Sequence, residues 1–174
     1  MTSQDPGQRH HCPLLTVVPI ALALATLSTS AATAGRLTDP LRFFEGRTES
    51  VSTVKVIAKK PFLSRSIGRG EIGPDGSLHL VQRVEEEGKP PFDRRWRIHR
   101  VAPGRFSGTM SEAKGPVTVE EVGGRYRFRF KMGGSVSVEQ LLTPMPDGKS
   151  ARSKTIIRKL GITVGHSEGM VRRL

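Results

Sequence analysis

Turn signals divide most of this 174-residue sequence into short segments, and their spacing strongly limits the folds available to it. Gly- and Pro-rich points recur, and segments of about 6 to 12 residues rich in Val, Ile, Phe, Thr and Arg lie between them. Asp-Gly and Gly-Gly connections are typical of antiparallel hairpins. The spacing therefore predicts an all-β chain of consecutive hairpins. The turn signals are Gly73–Gly76, Gly88–Pro91, Pro103–Gly104, Lys114–Pro116, Gly123–Gly124, Gly133–Gly134 and Pro144–Gly148.

About ten segments have the composition of strands, and one short stretch, Asp39–Glu45, looks helical because Asp39 can cap it and Pro40 suits its first position. So many strands in one small domain leave two architectures, an up-and-down barrel or a sandwich. Uninterrupted hairpins favour the barrel, whose closure removes exposed strand edges. The strand candidates are Thr48–Ala58, Leu63–Ile72, Ser77–Glu86, Arg94–Val101, Phe106–Glu112, Val117–Val122, Arg125–Met132, Val136–Leu142, Ala151–Arg158 and Thr163–Arg172.

The segment RYRFRFKM, Arg125–Met132, alternates strictly between cationic and apolar residues. Side chains on a strand point alternately to its two faces, so Tyr126, Phe128, Phe130 and Met132 are expected to fill the interior. The same pattern in RRWRIHRV places Trp96 and Ile98 inside. The expected basic outer surface comprises Arg125, Arg127, Arg129, Lys131, Arg95 and Arg97.

Residues 1–34 have the organisation of a secretory signal peptide. A polar, basic start precedes an uncharged apolar run, Leu14–Leu27, and then small residues with an A-x-A site at Ala32 and Ala34. The run of about 14 residues is short for a membrane-spanning helix, which needs roughly 20. The sequence predicts cleavage after Ala34, with an uncleaved anchor as the alternative. The domain formed by residues 35–174 should then have no transmembrane segment and be either periplasmic, free or membrane-associated, or secreted.

The chain is strongly basic, with 28 Lys and Arg against 16 Asp and Glu and a net charge of +12. This charge predicts attraction to anions such as nucleic acid, acidic lipid headgroups or acidic polymers. A signal peptide would carry the protein away from nucleic acid. The expected partners are therefore an anionic membrane surface or polymer, and no nucleic acid.

Catalytic and metal-binding motifs give no positive signal. GRGEIG, Gly68–Gly73, formally matches the dinucleotide pattern G-x-G-x-x-G, but a Pro-Asp-Gly turn and another strand follow it instead of a helix. His79, His99 and His166 fall on three different predicted strands, without the close spacing of a metal site. We predict no catalytic residue, cofactor or metal site, and expect that the chain is not an enzyme.

Candidate ligand-binding residues fall into an apolar and a polar group. A barrel of this size either fills with side chains or holds one small ligand, so aromatic residues on the inner face line a cavity or simply pack the core. Acidic and basic residues in mid-strand either enter such a pocket as partners of one another or face outward. The apolar candidates are Trp96, Tyr126, Phe128 and Phe130, and the polar candidates are Glu112, Glu139 and Arg158.

Several stretches together resemble a known family: LRFFEGRTES, EEEGKPPFDRRWRI, GRFSGTMSEAKG, RYRFRFKM and the closing RKLGITVGHSEGMVRRL. They are similar to a bacterial domain-of-unknown-function family of exported envelope proteins, often lipoproteins, with a lipocalin-like (calycin) barrel. The resemblance spans Leu41–Leu174 and includes no catalytic signature. The cysteine that such lipoproteins carry after the apolar run is missing here, so periplasmic or secreted is expected rather than lipid-anchored.

Two hypotheses for function follow. In the first, the barrel of this exported envelope protein binds a lipid or another small hydrophobic molecule, while the cationic exterior approaches anionic membranes. In the second, the protein is a non-catalytic structural or interaction module of the envelope. Its basic outer face would then contact anionic lipid or polymer.

Overall fold

The computed structural model describes residues 39–174, which form one short helix and ten strands. The predicted signal peptide, residues 1–34, lies outside the described residues. Between residues 39 and 174, no helix is long and apolar enough to span a bilayer. The elements are α1 (Pro40–Phe43), β1 (Gly46–Val56), β2 (Phe62–Ile72), β3 (Leu78–Glu86), β4 (Phe92–Ala102), β5 (Arg105–Met110), β6 (Val117–Val122), β7 (Arg125–Met132), β8 (Val136–Pro144), β9 (Ser150–Lys159) and β10 (Ile162–Arg173).

The ten strands form a closed antiparallel barrel in which every strand pairs with its neighbours along the chain. Strand β1 closes the barrel by pairing with both β2 and β10. The prediction of a single all-β, antiparallel up-and-down barrel of about ten strands with a short N-terminal helix is therefore confirmed. Closure pairs the edges that an open sheet of this length would expose.

The strands follow the predicted segments closely, and the clearest difference is at the end of β5. This strand ends at Met110, because the chain turns there and the Ala113 amide donates to the Met110 carbonyl oxygen. Glu112 consequently lies in a loop and not in mid-strand. A position in a loop frees its side chain from the alternation that governs strand residues.

Helix α1 lies across one end of the barrel. The Asp39 carboxylate accepts a hydrogen bond from the Leu41 amide at 2.9 Å, which caps the helix as predicted. Leu41 and Phe43 are buried and join the barrel core. Gly70 permits this approach, since a Cβ there would lie 2.0 Å from the Phe44 carbonyl oxygen. We refer to the end covered by α1 as the closed end.

The opposite end is the open end, where β1, β3, β5, β7 and β9 finish. Inward side chains near the closed end are fully buried, as for Leu142 at 2% exposure and Val171 at 4%. Near the open end, Val54 and Met132 are only half-buried, whereas Val84 and Val117 are buried. The core is therefore tight beside the helix and looser on only part of the open end.

Candidate functional site

An interior cavity of about 280 Å³ occupies the barrel above this core. Phe44, next to the helix, lines its deep part, and Glu86, Arg94 and Met132 line it near the open end. Its lining comes from β1–β4 and β7–β10. The volume is close to the lower limit of typical small-molecule pockets, roughly 300 Å³.

The cavity has one wall of small polar residues, which we call the polar wall. It is built by β1, β2, β9 and β10. Inward residues on neighbouring strands lie side by side there, as in the cross-strand pairs Ser50–Ser66 and Ser52–Ser64. Because these side chains are short, they leave space along the barrel axis. The hydroxyl-bearing members of the polar wall are Ser50, Ser52, Ser64, Ser66, Ser153, Thr155 and Ser167.

The facing side of the cavity is an apolar wall built by β3, β4, β7 and β8. Alternation along each strand directs its large side chains inward, because successive residues point to opposite faces. Water bound against such a surface is readily displaced by an apolar ligand. The apolar wall comprises Leu78, Leu80, Val84, Trp96, Ile98, Phe128, Phe130 and Val138.

The Trp96 indole is held in place from two directions. Its Nε1 donates a hydrogen bond to Gln82 Oε1 at 2.7 Å, and its ring meets Phe130 edge-to-face with centroids 5.7 Å apart. Gln82 lies between Leu80 and Val84 on the inner face of β3, and this hydrogen bond explains a polar side chain there. The aromatic surface of the cavity is therefore fixed before any ligand enters.

An ion pair lies at the mouth of the cavity. Arg94 lines the cavity, and its Nε donates to Glu112 Oε1 at 2.8 Å. Partial burial raises the pKa of Glu112, but the hydrogen bond from Ser111 and the charge of Arg94 outweigh burial, so the pKa lies below its ordinary value. At neutral pH the pair therefore carries both charges.

Sequence reasoning missed Arg94 as a cavity residue. Arg94 shares its strand face with Trp96 and Ile98, as the pairing of Gln82 with Arg94 and of Leu80 with Trp96 shows. The alternation of RRWRI contains this signal. The positive charge of Arg94 favoured a prediction that its side chain faces solvent. Glu112, the partner that makes an inward position tolerable, is distant in sequence.

Of the apolar candidates, three line the cavity and one does not. Trp96, Phe128 and Phe130 belong to the apolar wall. Tyr126 is only 3% exposed and belongs to the core cluster that includes the helix residues Leu41 and Phe43. Tyr126 is therefore no part of the cavity wall, because the chain places it at the closed end of β7, and its contact with a ligand stays a prediction.

Of the polar candidates, only Glu112 lies near the cavity, through its contact with Arg94. Glu139 is on the outer face of β8, where Arg129 Nε donates to its Oε2 at 3.2 Å. Arg158 pairs with Ser137 in register, on the same outer face. Of the two alternatives for Glu139 and Arg158, the structure has the outward one, since alternation turns both away from the barrel interior and both line a pocket on the outer surface.

The six predicted basic residues lie on the outer face, opposite to the cavity-lining positions of β4 and β7. Several have acidic neighbours there: Arg97 with Asp75 at 3.2 Å, and Arg129 with Glu120 at 3.5 Å. Hydrogen bonds from Ser77, and then the charge of Arg97, hold the pKa of Asp75 well below its usual range. Ion pairing thus neutralises part of this surface. The six residues are Arg125, Arg127, Arg129, Lys131, Arg95 and Arg97.

Metal-binding groups do not gather in the part of the chain that the structure describes. Within residues 39–174, no three His, Cys, Asp or Glu side chains lie close enough together to hold a metal ion. The charged groups that line the cavity there are Arg94 and Glu86. The lining of the cavity offers hydrogen bonding, apolar contact and two charged groups, Arg94 paired with Glu112 and Glu86 paired with Lys89.

The chain matches no family model and no curated protein. Among solved structures it is similar to the S-type phycobiliprotein lyase CPES from Guillardia theta, with a TM-score of 0.61 and 10% sequence identity. The match covers 77% of this chain and 90% of the lyase chain. At this identity the similarity shows a shared fold.

This similarity corrects the expectation that the chain is not an enzyme. That expectation rested on the lack of familiar catalytic motifs in a barrel sequence. The architecture is shared with a protein named as a lyase, so a barrel without those motifs is no ground for excluding catalysis. The function has to be argued from the cavity itself.

Proposed function

We propose that this protein binds a small hydrophobic or amphipathic molecule, such as a lipid, inside its barrel. The observation that carries the proposal is the polar wall. Small inward residues on β1, β2, β9 and β10 leave a cavity of about 280 Å³ facing Trp96 and Phe130. A barrel that served only as a rigid body would be expected to fill this space, since empty volume in a core lowers stability.

The two walls indicate the chemistry of the ligand. An apolar chain or ring lying against Trp96 and Phe130 would gain about 25 cal/mol for each Å² of apolar surface removed from water. The serine hydroxyls of the polar wall can donate to and accept from polar groups along one edge of the same ligand. The cavity size suits one small molecule, or the apolar part of a larger one whose head remains at the mouth.

The setting we propose is the bacterial cell envelope, after export. The apolar run of residues 14–27 and the resemblance of Leu41–Leu174 to exported envelope proteins support it. Lipids and their fragments are abundant there. A barrel that shields them from water would carry or hold them.

Trp96 is the sole tryptophan and lies in the cavity wall, so its fluorescence provides a direct test. We expect a saturable change in emission when a series of fatty acids from octanoate to oleate is added. Ser66→Leu fills empty volume at the polar wall and should lower the affinity at least tenfold, while leaving the free energy of unfolding unchanged or higher because the cavity becomes smaller.

Ser137→Leu is the matched control, because Ser137 lies on the outer face in register with Lys131 and Arg158. It should bind like the unmodified protein. Equal binding by Ser66→Leu, or no emission change with any member of the series, would refute the proposed cavity function.

A second candidate function is contact with an anionic polymer through the basic outer face. It is favoured by Arg125 and Arg127, which form no ion pair within residues 39–174. Arg125→Gln with Arg127→Gln should then abolish binding to an acidic polysaccharide without changing fatty-acid binding. Unchanged polysaccharide binding would exclude this function.

A further inference from the structure

The open end carries four large apolar side chains that the fold leaves in solvent. Ile57, Leu63, Leu160 and Ile162 are 66%, 58%, 76% and 70% exposed. Ile57 and Leu160 lie in the β1–β2 and β9–β10 connections, and Leu63 and Ile162 lie at the starts of β2 and β10. The two connections are neighbours because β1 pairs with β10 and the Ile57 amide donates to the Val164 carbonyl oxygen at 2.8 Å. Apolar groups concentrated in this way are typical of an interaction surface.

Leu160 adds an independent observation. It forms the two-residue turn between β9 and β10 with Gly161, and both have positive φ, 51° and 84°. Such turns strongly prefer Asn, Asp or Gly, because a bulky side chain is strained there. A leucine at this tip is unfavourable both for its backbone and for its exposure. Strained residues of this kind concentrate at functional sites.

Cations surround the apolar tips. Lys59 and Lys60 lie in the β1–β2 loop, and Lys159 ends β9 beside Leu160. In the described part of the chain these three lysines form no ion pair, unlike Arg97 and Arg129 on the outer face. Their charge is therefore available to an external anion.

Acidic residues at this end lie on its β2–β3 side, where the Glu87 amide donates to the carbonyl oxygen of Leu63 at 3.2 Å, and away from the tips at Ile57, Leu160 and Ile162. Glu85–Glu87 lie at the end of β3 and in the loop that follows, and Glu86 pairs with Lys89. Strand β3 is separated from β1 by β2. The apolar and cationic residues thus share the β10–β1–β2 side of the open end, which we call the rim: Ile57, Leu63, Leu160, Ile162, Lys59, Lys60 and Lys159.

From this arrangement we infer that the rim docks on the surface of a bilayer containing anionic lipids. The apolar tips enter the boundary between headgroups and acyl chains. The lysines contact lipid phosphates, and each lysine adds to the electrostatic attraction to the negative surface. A second copy of the chain is a poorer partner, since two rims would bring six lysines together. A bilayer with anionic lipids offers an apolar layer to the projecting tips and, above it, a negatively charged layer to the lysines.

Docking in this way would place the mouth of the cavity, with Arg94 and Glu112, against the membrane. A lipid could then pass between bilayer and cavity without crossing bulk water. This last step rests on the proposed cavity function, whereas docking itself does not. The two are tested separately, because cavity binding is measured in solution and docking on vesicles.

The test is co-sedimentation of the protein, in the form its host produces, with vesicles of phosphatidylcholine containing phosphatidylglycerol and with phosphatidylcholine alone. We expect strong preference for the anionic vesicles and weaker association at high salt. Lys59→Gln, Lys60→Gln and Lys159→Gln combined should reduce partitioning at least tenfold. Leu160→Asn, which suits the turn better, should also reduce it about tenfold by removing an inserted side chain.

Two controls separate the rim from other surfaces. Leu174→Asn changes an equally exposed leucine at the closed end, 64% exposed, and should leave partitioning unchanged. Arg125→Gln with Arg127→Gln alters the outer face and should reduce it less than the lysine changes. Unchanged partitioning of the rim variants, or equal loss with the outer-face variant, would overturn the inference. If the unmodified protein docks on anionic vesicles but binds no fatty acid in solution, only the cavity function is refuted.

Discussion

At the scale of single residues, Leu160 lowers the stability of the fold, because it is an exposed leucine in a left-handed backbone conformation. A left-handed backbone conformation costs an ordinary L-residue roughly 1–2 kcal/mol, whereas Asn tolerates it. We therefore expect Leu160→Asn to raise the free energy of unfolding by about 0.5–1 kcal/mol, measured by urea denaturation. Leu174→Asn, outside any turn of this kind, should change it little. A loss of stability in Leu160→Asn would show that the leucine packs on the barrel instead of projecting from it.

Glu112 gives the molecule a predictable pH dependence. Its pKa in the folded protein lies below the ordinary value of 4.5, so its ion pair stabilises the fold above about pH 4.5 and is lost as the pH falls through the lower, folded-state pKa. Glu112→Gln should therefore be less stable than the unmodified protein at pH 7. The difference in free energy of unfolding should shrink steadily below pH 4.5. A difference that stays constant into strong acid would contradict the role of the Arg94–Glu112 pair.

Alternation along strands explains which site residues could be predicted from the sequence. In RYRFRFKM and RRWRI the apolar set is unambiguous, so Phe128, Phe130 and Trp96 were placed correctly. Strand β9 gives no such guide, because Ile156 and Ile157 are adjacent and the inward set begins with Ala151 and Ser153. The outward position of Arg158 could not be predicted for that reason. Glu139 lies between Val138 and Gln140, which face inward, so alternation along β8 would have predicted that Glu139 faces outward.

At the scale of elements, the short helix α1 closes the barrel, and this depends on one glycine. Gly70→Ala would place a Cβ 2.0 Å from the Phe44 carbonyl oxygen, which belongs to backbone and cannot move aside cheaply. We expect a loss of about 1–3 kcal/mol in the free energy of unfolding. Gly133→Ala is the matched control, since a Cβ there meets nothing within 4 Å. Equal stability of the two variants would mean that the helix does not pack against β2 in solution.

Depth along the barrel was the part of the element arrangement that the sequence did not reveal. Tyr126 and Phe128 share a strand face, yet the first packs under α1 and the second lines the cavity. The helix was expected from Asp39 and Pro40. Its position across the end where β7 begins follows from tertiary packing, which local patterns do not encode.

At the scale of the whole molecule, consecutive hairpins favoured a closed barrel over a sandwich, and the structure has the barrel. The turn signals set the strand lengths, and pairing of β1 with β10 follows from the need to satisfy both edges. The division of the interior into a polar and an apolar wall could not be predicted in the same way. It depends on which strands become neighbours around the barrel, and seven hydroxyls from four strands meet only after closure.

The whole molecule is also asymmetric from end to end. The helix seals one end, while the other carries the cavity mouth and the rim. Fold similarity at 10% identity to the phycobiliprotein lyase leaves the contents of the barrel free to differ. The proposed ligand therefore has to be identified from this protein itself.

Native mass spectrometry of the protein purified from its own host tests the central claim most directly. We predict a reproducible extra mass, released by organic solvent and identifiable as a lipid or a related amphipathic molecule. It should be lost in Ser66→Leu and retained in Ser137→Leu. A bare protein in every preparation, or an adduct that Ser66→Leu retains, would contradict a ligand held between the polar and apolar walls.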